Sequence, residues 1–170
     1  MRVTAACVGV LVCACAGQSP PQVTAIPRSP YAVFTGRLTL SGEVALKGSF
    51  VDSLTGRHET CSQYVAGALP ATTLWVVPTP VSQLVGNHQV TYTAGVVIAP
   101  PSPGFHGPGI YTGASATMAD LIVDNSSFTF AASTVIHVTA DASGTMSFTG
   151  MVDTFTYALE SGKVSWTCTD

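Results

Sequence analysis

The chain has 170 residues, which is enough for one domain of ordinary size. It is 46% hydrophobic but only 9% charged, whereas about a quarter of the residues in a typical soluble domain are charged. Serine, threonine, glycine and alanine take the place of charged residues, which favours an all-β protein over a helical bundle. The formal net charge is −3, and six basic residues spread along the chain predict no basic patch. We therefore expect no nucleic-acid partner, because phosphate binding needs clustered Lys and Arg.

The N-terminus has the three parts of a secretory signal peptide. Arg2 supplies a positive charge, an apolar stretch follows from Val3 to Gly17, and small residues lie near its end. This stretch is shorter than the roughly 20 residues that a membrane-spanning helix needs. Residues 1–14 are therefore predicted to be a signal peptide that is removed on export.

Two cleavage sites compete at the end of this stretch. The segment Val12-Cys13-Ala14-Cys15 is similar to a bacterial lipobox, with an aliphatic residue three positions before Cys15 and a small residue directly before it. It predicts a lipid on Cys15, and hence a protein held at the outer face of the cytoplasmic membrane, within the cell envelope. The alternative is the small-x-small site Ala14-Cys15-Ala16, whose cleavage would release a soluble secreted protein.

A proline-rich tether is predicted between the signal peptide and the domain. Residues 15–30 contain four prolines and few large apolar residues, a composition typical of an extended, weakly packed spacer. Residues 31–170 are then expected to form one β-sandwich domain.

Two cysteines remain once the signal peptide and the lipidated cysteine are set aside. Cys61 and Cys168 are an even pair in an oxidising compartment, which predicts one disulfide bond between them. The alternative is a metal-binding or redox pair, but no Cys-x-x-Cys spacing and no second cluster of ligands supports it.

Strand patterns dominate the rest of the chain. From Phe34 to Phe50 the large apolar residues share even positions, as in a half-buried strand, and Ser41-Gly42 marks a bulge, bend or tight turn. A short helical turn is predicted at Gln63–Leu69. Further strands are predicted at Thr72–Val77, His88–Ile98, Ala116–Val123 and Ser126–Ala131.

Two hairpins are predicted in the C-terminal third. One pairs Val138 with Met146 across an Asp-Ala-Ser-Gly turn, and the other pairs Tyr157 with Trp166 across a Glu-Ser-Gly-Lys turn. About eight to ten strands with frequent turn signals predict an antiparallel β-sandwich or an open barrel.

A long surface loop is predicted at residues 99–109, because its four prolines lack the N–H that a central strand donates. Phe105 and His106 lie in this loop and form a candidate recognition site. A large aromatic residue among small ones either packs onto the sheet or is presented to a partner, and the sequence leaves both alternatives open.

The segments Asp141–Gly150 and Ser161–Cys168, together with the lipobox, resemble the corresponding parts of small actinobacterial cell-envelope lipoproteins of the LpqH type. The resemblance covers the beginning and the end of the chain and is one of layout and composition. It implies a surface antigen without established enzymatic activity, with a lipid on Cys15 and a bridge between Cys61 and Cys168.

No catalytic, metal or cofactor site is predicted. The segment around Ser115 lacks the second glycine of a nucleophile elbow, and the four histidines have none of the close spacings of metal ligands. The leading hypothesis is a non-enzymatic lipoprotein with a surface-displayed β module of unknown binding role. The first alternative is a carrier of a lipid, glycolipid or other apolar ligand in an opened β-barrel, and the second is a hydrolase.

The expected partners are the membrane, through the N-terminal lipid, and an unknown protein or apolar ligand. An enclosed apolar cavity would favour the carrier, whereas a filled core would favour the displayed module.

Overall fold

The computed structural model describes residues 31–53, 60–67, 74–80, 83–98 and 104–170. The predicted signal peptide, Cys15 and the tether lie outside these ranges. Neither helical segment within them is long and apolar enough to cross a membrane. The elements are β1 Val33–Gly42, β2 Leu46–Ser53, α1 Cys61–Val65, β3 Leu74–Val76, β4 Leu84–Val85, β5 His88–Val97, β6 Gly109–Thr112, a 3₁₀ turn Gly113–Ser115, β7 Ala116–Val123, β8 Ser126–Thr129, β9 Ser133–Val138, β10 Gly144–Asp153 and β11 Leu159–Thr169.

The strands of the described residues form one antiparallel sheet that is not closed. The main strand order is β2-β1-β11-β10-β8-β7-β5-β3, while β9 pairs with both β10 and β6, and β4 pairs with β5. The predicted all-β antiparallel fold is confirmed, with eleven strands in the described ranges where about eight to ten were expected.

The sheet folds back on itself and encloses an apolar core. Trp75 of β3, at one end of the strand order, lies with its ring centroid 6.5 Å from that of Trp166 on β11, near the other end. Both indoles are buried, and their N–H groups donate to the backbone carbonyls of Tyr64 and Ala142. Other large side chains that fill the interior are Phe34, Phe50, Phe128, Phe148, Leu38, Met118, Leu121, Ile136, Met146 and Met151.

Alternation along β1 and β2 decides which side chains face this core. The even-numbered apolar residues are buried and the odd-numbered residues between them are mostly exposed. Gly36 is also even-numbered and faces the core. This position requires glycine, because a Cβ there would lie 2.1 Å from the Phe50 ring. Ser41 and Gly42, where a bulge, bend or tight turn was expected, are the last two residues of β1, and the chain bends directly after them at residues 43–44.

The free edge of β2 is covered by residues just before β4. The side-chain amide of Gln83 accepts a hydrogen bond from the Val51 N–H at 3.1 Å and donates one to the Val51 carbonyl. Two glycines allow β2 to approach the turn after β4 closely, since a Cβ on Gly48 of β2 would lie 2.4 Å from the nitrogen of Gly86 in that turn. β2 therefore meets the segment around β4 through the Gln83 side chain and through the close contact between the two glycines.

The first predicted hairpin is correct in its turn but wrong in its register. Met146 pairs with Ile136 and not with Val138. The connection is longer than expected, because the Thr139 N–H donates to the Ser143 carbonyl at 2.9 Å and residues 139–143 form the loop. The shift is by two residues, so the same side chains still face the core.

The second predicted hairpin is wrong. Residues 160–163 lie inside β11, and the chain turns instead at 154–158. Tyr157, expected opposite Trp166, is 78% exposed at this turn. Gly162 serves close packing within the strand, because a Cβ there would lie 2.6 Å from the Phe148 ring.

The predicted disulfide bond is confirmed. Cys61 and Cys168 have Cα atoms 5.9 Å apart and join the start of α1 to the end of β11 across 107 residues of chain. Helix α1 begins two residues earlier than predicted, because Thr60 and Gln63 form a capping box. The Cys61 N–H also donates to the Asp170 carboxylate at 2.7 Å, so the two segments meet at a well-bonded corner.

Replacing both cysteines, Cys61→Ala with Cys168→Ala, should lower the free energy of unfolding by about 4–5 kcal/mol, because the bond closes a loop of about 100 residues in the unfolded chain. Urea unfolding followed by tryptophan fluorescence measures the change. Reductant should destabilise the wild type by a similar amount and leave the double variant unchanged. A loss below about 1 kcal/mol would contradict a stabilising role for the bond.

Candidate ligand-binding groove

The outer face of β2, β1 and β11 carries an open groove of about 520 Å³. The sheet positions its side chains, because odd-numbered residues on these three strands point away from the core. The groove is lined by Arg37, Thr39, Lys47, Gly48, Ser49, Lys163 and Ser165.

The strand register places two lysines in one row across the groove. Thr39 of β1 pairs with Lys47 of β2 on one side and with Lys163 of β11 on the other. Neighbouring strands lie about 4.8 Å apart, so the two lysine Cα atoms are separated by roughly 10 Å, with Thr39 between them.

A second row adds the third cation. Arg37 lies two residues before Thr39 on β1, about 7 Å along the strand and on the same face. It pairs with Ser49 of β2 and with Ser165 of β11. The six positions thus form a grid in which each lysine or arginine is adjacent to hydroxyl side chains.

These three residues are all the Lys and Arg side chains that the structure describes. All three are exposed, and none forms a salt bridge with another described residue. No carboxylate is found among the described residues that line the groove. The expectation of no basic patch is therefore wrong for this face, because residues far apart in sequence become neighbours on adjacent strands.

The groove continues toward the start of β1 and the end of β11. A second depression of about 300 Å³ shares Arg37 and Ser165 with the first and is also lined by Thr35, Thr167 and Trp166. The indole of Trp166 is buried, and the polar groups that line this depression are side-chain hydroxyls and the guanidinium of Arg37. Such a surface can bind oxyanions, since guanidinium and ammonium groups donate charge-assisted hydrogen bonds and hydroxyls donate further ones.

Of the two predicted recognition residues, Phe105 packs onto the core. Its ring stacks on Trp75 with centroids 4.4 Å apart and an interplanar angle of 8°, and it lies 5.5 Å from the Tyr111 ring. His106 is exposed and contacts Tyr111 with ring centroids 5.1 Å apart. The described part of the loop therefore presents His106 and not Phe105, and a recognition role for His106 stays a prediction.

Phe105→Ala should lower the free energy of unfolding by about 1–3 kcal/mol, because it removes a half-buried ring and its stacking on Trp75. Tryptophan fluorescence should shift to longer wavelength as the Trp75 environment becomes wetter. His106→Ala is the control, and its effect should stay within about 0.5 kcal/mol. Equal stability of the two variants would contradict the packing role.

A hydrogen-bonded turn at residues 154–158 displays two aromatic side chains. Phe155 is 80% exposed and Tyr157 is 78% exposed, and Tyr157 has a left-handed backbone with φ of 60°. The buried Asp153 carboxylate holds the turn by accepting hydrogen bonds from the Thr156 and Phe155 N–H groups, each at 2.7 Å. The hydrogen bond from the Thr156 N–H has the larger effect and that from the Phe155 N–H the next, and both lower the pKa of Asp153 below its ordinary value of 3.8.

Asp153→Asn should change how stability depends on pH. Because the folded pKa of Asp153 is lowered, the stability that its carboxylate contributes is complete above the unfolded pKa and is lost as pH falls through the folded pKa. The free energy of unfolding of the wild type should therefore exceed that of Asp153→Asn at about pH 6, and the difference should shrink toward about pH 2.5. Thr154→Ala, in the same turn but without a titratable group, should keep the wild-type pH profile. A constant difference between wild type and Asp153→Asn would contradict this assignment.

One exposed acid–base pair was not predicted from the sequence. The His88 Nδ1 lies 2.7 Å from the Asp124 carboxylate, which also accepts a hydrogen bond from the Gln89 N–H at 2.9 Å. The contact with His88, then that with Gln89, lowers the pKa of Asp124. Pairing of β5 with β7 brings the two residues together, and within the described ranges no third His, Cys, Asp or Glu joins them to form a metal site.

The comparisons give no relative from which a function could be inferred. No protein-family model matches the chain, no curated protein matches it, and no solved structure matches its fold.

Proposed function

We propose that this protein is a non-enzymatic cell-envelope lipoprotein whose β module binds its ligand on the outer face of the sheet. The observation that carries the proposal is the open cationic groove on β2, β1 and β11, whose three cations form no salt bridge with a described residue and whose described lining contains no carboxylate. The groove lies on a face whose strands are fixed by the register of the sheet, so the binding surface is preorganised.

The disulfide bond of the domain supports export from the cytoplasm. A disulfide bond joins Cys61 and Cys168, and such bonds persist in oxidising compartments outside the cytoplasm. The N-terminal segment, with its short apolar stretch and the lipobox before Cys15, agrees with this location. The likeness to LpqH-type lipoproteins points in the same direction.

Binding on the outside is preferred over carriage of an apolar ligand inside. The interior is occupied by aromatic rings in contact, with Tyr64 lying 4.6 Å from both Phe34 and Trp75 between centroids. A lipid would have to displace these rings and break the hydrogen bond from the Trp75 indole. Close-packed interiors resist such rearrangement, because each lost contact weakens the core.

In this proposal Cys15 carries the anchor and residues 16–30 hold the domain away from the membrane. More than one acyl chain gives durable attachment, whereas a single chain binds reversibly. A proline-rich spacer is extended and semi-rigid, so it would keep the groove accessible to ligands outside the membrane.

Intact mass spectrometry of the protein from the membrane fraction of a producing bacterium tests the anchor. We expect a chain that begins at Cys15 and carries acyl groups. Cys15→Ser should abolish the acyl mass and remove the mature protein from the membrane fraction, whereas the matched control Cys13→Ala should keep both. A mature chain that begins at Gly17 without acyl mass would contradict the proposal.

A further inference from the structure

We propose that the cationic groove binds a carbohydrate that carries at least two phosphate or sulfate groups. The inference deepens the proposed function. It rests on that function in one respect, since an exported domain would meet such ligands outside the cell. The site consists of Arg37, Lys47 and Lys163 with the hydroxyl residues between them, and nothing in the sequence pattern had singled it out.

The distribution of charge favours an anionic ligand. The chain has a net charge of −3, yet every described lysine and arginine lies on this one face. Among the described residues, no carboxylate lines the groove and none forms a salt bridge with the three cations. The local field is therefore opposite in sign to the net charge, and it attracts anions to this face in particular.

The spacing of the cations favours a ligand with more than one anionic group. Lys47 and Lys163 stand in one row, roughly 10 Å apart at Cα, and Arg37 lies about 8 Å from each of them in the next row. One small ion contacts only part of this triangle, whereas linked anionic groups can contact two or three cations at once. Linking the groups makes the second contact intramolecular and raises the affinity.

The remaining lining of the groove favours a carbohydrate scaffold over a nucleic acid. Thr39, Ser49 and Ser165 supply hydroxyls beside the cations, and Thr35 and Thr167 continue them into the second depression. Hydroxyls both donate to and accept from sugar hydroxyl groups. Single-stranded nucleic acids are commonly held by exposed aromatic rings. Among the described residues that line the two depressions, Trp166 is the only aromatic one, and its indole is buried.

The test uses the mature chain from residue 15 with Cys15→Ser, so the result does not depend on lipidation. The probe is a heparin hexasaccharide, titrated by calorimetry. We expect saturable binding that weakens as sodium chloride is added, because salt screens exposed charges. Replacing Arg37, Lys47 or Lys163 by Ser should weaken binding by about two- to fivefold each, and the triple variant should lose more than about tenfold.

Two control variants separate a defined groove from net charge. Thr91→Glu changes the net charge by the same amount as one Lys→Ser change. Thr91 is an exposed residue of β5 that does not line the groove, so this variant should keep wild-type affinity. Lys47→Arg keeps the positive charge and should retain binding. Urea unfolding of all variants checks that each is folded.

Further probes distinguish sources of the same anionic chemistry. Maltohexaose, which is neutral, and inorganic sulfate should bind far more weakly than the hexasaccharide. The proposal is overturned if the triple variant binds like the wild type or if inorganic sulfate matches the hexasaccharide. It is also overturned if an oligodeoxynucleotide or vesicles of anionic phospholipid bind through the groove more tightly than the hexasaccharide. Failure here would leave the anchored location intact, since intact mass tests that separately.

Discussion

The structure depends on the pairing of its first described strand with its last. β1 and β11 pair over ten residues, from Val33 with Thr169 to Gly42 with Glu160. β11 also pairs with β10 on its other edge, so it joins the two parts of the sheet. The disulfide bond fixes one end of β11 to α1. Because these contacts join distant parts of the chain, the sheet must close a large loop before it gains most of its stability.

This one pairing also creates the division between the inner and outer faces. Even-numbered residues of β1 face the core, and odd-numbered residues face solvent. The row of Lys47, Thr39 and Lys163 exists only because the registers of β1 with β2 and β11 agree. A slip of one residue would bury charged side chains and expose the apolar set, so the core that stabilises the fold also determines the geometry of the groove.

Local patterns allowed much of the sheet to be predicted. Alternation located β1 and β2, the strand predicted at Ala116–Val123 matches β7, and the count of cysteines identified the disulfide bond. The turn at 154–158 was missed because its stability comes from the buried carboxylate of Asp153, whereas the Ser161-Gly162 pair has the composition of a turn and lies within a strand. Composition reports which residues tolerate a turn, but not which tertiary contact selects one.

The groove could not be predicted, because it is assembled by long-range pairing. Arg37 and Lys47 lie on neighbouring strands joined by a turn, but Lys163 comes from the other end of the chain. No sequence window contains all three, so counting basic residues along the chain gave the wrong result. Phe105 shows the converse case, since a residue noticed for its unusual surroundings in sequence proved to complete the core.

The contact of Gln83 with Val51 has a consequence for how molecules of this protein meet one another. An uncovered edge strand offers its N–H and C=O groups to any other chain that can add as a further strand. At Val51 these groups already bind the Gln83 amide, and the Thr79 N–H is bonded to the neighbouring Asp52 carboxylate. Another copy could extend the sheet at this point only after displacing these groups. Around Val51 the edge of β2 is therefore closed to the addition of a strand from a neighbouring molecule.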